Sequence, residues 1–195
     1  MRRAAILALL AGLALVAGCG GEADDVGSTV DSAGGPPRVL SSSAVPALHA
    51  RARVLDQDTL AADAFEPEQL GAVLDDAGYR VGRERELAGK TETFDHVVAR
   101  TLVFANADGA DAYLAWLQDH PEEVLGQSTP AKVAAPGEDG FVLRLVPCGS
   151  CKKELPTFFA AWRRGATAGT LLAAGPGADE ARFGELLAQA DAAVG

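Results

Sequence analysis

Basic residues are the minority charge in this 195-residue chain: 17 Lys and Arg stand against 27 Asp and Glu, a formal charge of −10. A surface with that balance lacks the electrostatic footprint of phosphate-backbone binding and is repelled by anionic lipid, which excludes nucleic acid as a partner. Histidine and cysteine are sparse, at three of each. His49, His96 and His120 are scattered, and a lone Cys148/Cys151 pair supplies only half of a tetrahedral ligand set, so no metal centre is expected. Uncharged apolar runs fall short of the roughly 20 residues that span a bilayer. Gly89-Lys90-Thr91 ends like a phosphate-binding loop, but the glycine required five positions earlier is Glu84, so a turn is expected and no nucleotide cofactor. Ser150-Cys151-Lys152-Lys153 satisfies Ser-x-x-Lys without the companion motifs of that chemistry. Asp75-Asp76 and Glu122-Glu123 read as solvated helix faces rather than a carboxylate pair for glycoside hydrolysis. Aromatics are only 6% of the chain. Trp116 and Trp162 are either core or pocket, and sequence does not separate the two.

What is present begins at the N-terminus. Met1-Arg2-Arg3 leads into an uncharged Ala/Leu-rich stretch from Ala4 to Ala17, the layout of a secretory signal. Val16-Ala17-Gly18-Cys19 then resembles the lipobox of bacterial lipoproteins. That resemblance implies a signal peptide over 1–18, cleavage before Cys19, and diacylglycerol on the Cys19 thiol with palmitate-type chains. The alternative is an ordinary signal peptide with a chance cysteine. Two or three acyl chains bury far more CH₂ than the single myristoyl that binds marginally, so a lasting anchor on the extracytoplasmic face of the cell membrane is expected. Removing Arg2 and Arg3 takes the formal charge from −10 to −12. Residues 19–45 are read as the lipidated cysteine and a flexible tether. Gly34-Gly35-Pro36-Pro37 and Ser41-Ser42-Ser43 lie there without hydrophobic periodicity, and a coil of that length reaches roughly 25 to 30 Å. The remainder, 46–195, has the size of a single domain.

Within it, Pro67 opens a helix with Leu70, Val73, Leu74 and Ala77 on one face and Gly78 as its stop. Arg80 to Leu87 and Phe94 to Ala105 read as an antiparallel strand pair. Asn106 or Asp108 caps a helix carrying Ala110, Tyr113, Leu114 and Leu117, which Pro121 ends or kinks. Phe141 to Val146, Phe158 to Trp162 and Thr167 to Ala174 form a three-strand meander. Asp179 and Glu180 open a last helix with Phe183, Leu186, Leu187, Ala190 and Val194 on its face. The expected class is α+β, an antiparallel sheet of about five strands with helices against a face, in the order α-β-β-α-β-β-β-α.

That order, with Ala77-Gly78-Tyr79, Gly109-Ala110 and Arg163-Arg164-Gly165, resembles small lipoproteins of high-GC Gram-positive bacteria with a PsbP-like sandwich. The resemblance implies a non-enzymatic binding or accessory domain for an envelope protein or small-molecule ligand. A second resemblance is local. Cys148-Gly149-Ser150-Cys151 with Lys152-Lys153-Glu154-Leu155-Pro156 looks like a thioredoxin motif, which implies a tethered thiol-disulfide oxidoreductase. Against it, the chain after Cys151 is too short for the rest of that fold, Pro147 replaces the usual preceding aromatic, and 158–174 reads as a hairpin rather than a helix. The other reading of Cys148 and Cys151 is a structural disulfide of an exported protein. With Cys19 acylated, no odd thiol is left over.

Overall fold

The computed structural model describes residues 37–121, 126–146 and 154–195, and runs β1 (His49–Leu55), α1 (Gln57–Ala62), α2 (Pro67–Asp76), β2 (Tyr79–Ala88), β3 (His96–Phe104), α3 (Ala107–Asp119), β4 (Ser128–Pro130), β5 (Glu138–Leu145), β6 (Thr157–Arg164), β7 (Thr167–Ala174) and α4 (Glu180–Val194). The class is α+β as expected. The strand count is corrected from about five to seven, in one antiparallel sheet ordered β1-β2-β3-β7-β6-β5-β4. The added strands are the two edges, β1 and β4, and α1 is an added helix.

Local chemistry accounts for the helices. Pro67 sits in the first turn of α2, where its missing N–H costs nothing. Asn106 Oδ1 accepts from the Gly109 N–H at 2.9 Å to start α3, and Asp179 Oδ1 accepts from the Arg182 N–H at 2.8 Å to start α4. Among the strands, β5, β6 and β7 form the expected meander, and β2 pairs with β3.

Helices cover both faces of the sheet, a correction to the single covered face expected. β6 shows why, because its consecutive residues Phe158 to Trp162 are all buried. Phe158, Ala160 and Trp162 join the cluster under α4 with Phe183, Leu186 and Leu187, and the Phe158 and Phe183 rings stack at 5.2 Å. Phe159 and Ala161 join the opposite cluster with Leu74 of α2 and Tyr113, Leu114 and Leu117 of α3. A strand buried on both faces reads as a continuous apolar run instead of an alternation.

The folded part also takes in residues of the stretch read as tether. Leu40 is 2% exposed and packs with Leu48 and Leu87 in the α4-side cluster, after which Ser42–Ala44 forms a 3-10 turn.

Candidate functional site

Opposed residues in antiparallel strands share a face, so the register draws rows across the sheet. One row on the α3 side runs Val98, Leu172, Phe159, Leu143 and Pro130, across β3, β7, β6, β5 and β4. At about 4.8 Å per strand it is an apolar floor roughly 19 Å long. Only Phe159 in this row is fully buried; Val98, Leu172 and Leu143 are half-buried and Pro130 is exposed. At the β4–β5 end the floor opens into a groove of about 410 Å³, walled by Gln118 in the last turn of α3, by Pro121 just beyond that helix, and by Ser128, Pro130, Phe141 and Leu143 from the strands. Phe141 and Phe159 lie 6.1 Å apart, ring to ring.

The α3 wall is fixed by its own terminus. His120 donates its backbone N–H to the Trp116 carbonyl at 3.0 Å, its Nδ1 lies 2.9 Å from the same oxygen, and its ring stacks on Trp116 at 5.0 Å. Pro121 follows, where the helix has stopped. Trp116 is 8% exposed and Trp162 fully buried, so both are core, and the indole Nε1 of each finds no hydrogen-bond partner among the described residues. Tyr113, on the buried face of α3, has its phenol pushed up to about 12 by that burial, and is neutral at physiological pH.

Next to this floor, one row towards α1, is a group that sequence reasoning missed. Arg53, Glu84 and Arg100 are aligned across β1, β2 and β3. Glu84 accepts from Arg53 Nε and Arg100 Nε, each at 2.7 Å, while both Nη2 atoms reach Asp63 at the end of α1. Burial raises the Glu84 carboxyl, but the hydrogen bond from Arg53 and the charge of Arg100 outweigh it and hold the group below the usual carboxylate range. The one available signal was the alternation Arg83-Glu84-Arg85-Glu86 facing His49-Ala50-Arg51-Ala52-Arg53.

Glu84→Gln keeps the shape and removes the charge between two guanidiniums. Because Arg53 and Arg100 remain 45% and 25% exposed, the cost expected is about 2 kcal/mol, below that of a fully buried pair. A carboxyl depressed in the folded state contributes stability above its unfolded pKa of about 4.3 and loses it as pH falls through the folded value. Denaturant unfolding should therefore separate wild type from Glu84→Gln at pH 7, and the gap should narrow as pH falls below about 4.3.

The remaining sequence candidates stay apart. His96 Nε2 lies 3.0 Å from Glu86 Oε1, His49 is exposed on β1, and His120 is bound to α3. No group of three His, Cys, Asp or Glu side chains among the described residues is placed to hold a metal. Asp75 and Asp76 are exposed on α2. Residues 89–95 form the loop between β2 and β3, where Thr91 Oγ1 accepts from the Thr93 and Phe94 N–H groups. Cys19, Cys148, Cys151, Ser150 and Glu122-Glu123 lie outside the described residues. The strands on either side of the cysteine pair, β5 and β6, are adjacent and antiparallel, and residues from Thr157 onward form a strand where a thioredoxin motif needs a continuing helix.

A seven-stranded antiparallel sheet with helices on both faces and a groove at one end defines an α+β domain whose fold occurs outside the cell in a solved structure. That structure is the extracellular domain of PknH from Mycobacterium tuberculosis, similar at a TM-score of 0.52 and 13% identity over 78% of this chain and 88% of that one. No protein-family profile matches the chain. A search of curated proteins gives no match either.

Proposed function

We propose that this chain is a membrane-anchored extracytoplasmic lipoprotein whose folded domain binds an apolar ligand without chemically changing it. The observation that carries the reading is the groove. Its lining is mostly apolar, with Gln118 and Ser128 as the polar side chains among the described residues, and among those residues no nucleophile stands beside a base. A mostly apolar concavity with a few polar groups is the usual build of a binding site. The anchor on Cys19 rests on the lipobox, and the PsbP-like likeness rests on the sequence alone. The likeness to an extracellular domain supports placement outside the cell and adds no ligand.

Leu143→Asp puts a carboxylate on the groove floor at a half-buried position. The dye 1-anilinonaphthalene-8-sulfonate, added to the chain from Gly20 onward, should brighten with wild type and lose most of that emission with Leu143→Asp at an unchanged melting temperature. Equal emission from both proteins would remove the groove as the binding site.

A further inference from the structure

The outer edge of β1 is the least covered part of the sheet. Six of its seven residues are exposed, and its ladder partner among the described residues is β2 alone. Edge strands of this length are commonly blunted by a bulge or a proline, yet β1 contains no proline and pairs in unbroken register throughout.

Charge marks the same edge. In a chain of net charge −10, no acidic residue occurs between Asp31 and Asp56, and β1 carries two arginines. Arg53 is turned to Glu84 and Asp63. Arg51 makes no ion pair among the described residues, because its cross-strand neighbour Glu86 is turned to His96. His49, Arg51 and Arg53 share one face of the strand, while Ala50, Ala52 and Val54 share the other, with Val54 55% exposed.

A second copy of the chain fits this edge badly. Two-fold antiparallel pairing of β1 with itself opposes odd-numbered residues to odd-numbered ones, so Arg51 meets Arg53, another Arg51 or His49, and like charges directly opposite destabilise a pair. An acidic strand reverses that sign. The geometry points to β1 as a strand-addition site for an extended segment of another protein, in which acidic residues alternate with small apolar ones. Main-chain hydrogen bonds along the edge supply affinity, and the Arg51 face against the Ala and Val face sets register and specificity. None of the groove residues takes part.

The test uses the chain from Gly20, which keeps every described residue, and two fluorescein-labelled peptides, Glu-Val-Glu-Val-Glu-Val and Lys-Val-Lys-Val-Lys-Val. Anisotropy at low salt should show the Glu peptide binding at least about tenfold tighter. Arg51→Glu should reverse that preference at an unchanged melting temperature, and hydrogen exchange at 50–54 should slow only in the bound state. Equal binding of the two peptides, or a preference that survives Arg51→Glu, overturns the proposal. So does concentration-dependent dimerisation that protects the β1 amides, which would make a second copy the occupant.

Discussion

Gly109→Ala should lower the stability of the domain by about 3 kcal/mol or more, towards the upper end of the usual cost of overpacking. Against the roughly 5 to 15 kcal/mol that holds a domain folded, that is enough to populate unfolded chain visibly. The cause is contact rather than helix propensity, which favours alanine over glycine in a helix. Gly109 lies in the first turn of α3, buried, and a Cβ there would stand 2.0 Å from the Ala77 carbonyl oxygen and 3.0 Å from its carbon. Both are backbone atoms just past the end of α2, so neither can swing aside, and α3 itself would have to lift. Lifting α3 loosens Tyr113, Leu114 and Leu117 from the sheet and moves the Gln118 and Pro121 wall of the groove. Gly184→Ala is the control, since its Cβ on α4 would meet only Val133 Cγ1 at 3.6 Å, and it should leave stability unchanged or raise it by up to about 1 kcal/mol. Denaturant midpoints for the two variants decide the matter, and similar midpoints would show that α3 does not depend on this close approach.

The second large effect lies at the other end of the chain. Cys19→Ala should abolish all incorporation of labelled fatty acid, because the thiol is the acyl acceptor that the lipobox implies. No other cysteine stands in such a context: Cys148 and Cys151 lie far from the signal, within Pro147-Cys148-Gly149-Ser150-Cys151. Cell fractionation with a labelled fatty acid gives a yes-or-no reading. Label retained in Cys19→Ala would place the lipid elsewhere or refute it.

Much of the fold could be read before the structure, and the gaps have physical reasons. β7 is read residue for residue as Thr167–Ala174, and α4 follows from its Asp179 cap and the apolar face of Phe183, Leu186 and Leu187. β1 was missed because the apolar side of His49-Ala50-Arg51-Ala52-Arg53 is alanine alone, too weak a signal for a strand, and its ladder partner among the described residues is β2. β4 is three residues long and ends in Pro130, too short for any periodicity to show. α1 was legible in principle, since Asp56 Oδ1 accepts from the Thr59 N–H at 2.8 Å as an ordinary cap. The run Phe158-Phe159-Ala160-Ala161-Trp162 also carried the sign of a strand covered on both sides. The groove was not legible, because it depends on which residues of β4 and β5 the register brings beneath the end of α3. The Arg53–Glu84–Arg100–Asp63 group likewise joins four separate elements, and only the charge alternation along β1 and β2 hinted at it.

The central claim is a folded domain held to the membrane through Cys19, and mass spectrometry of the N-terminal peptide from the native protein tests it most directly. The account predicts a mature chain beginning at Cys19, with its mass raised by a diacylglyceryl group and its amine free or carrying one further acyl chain. A mature N-terminus at any other residue, or an unmodified Cys19 thiol, would contradict it.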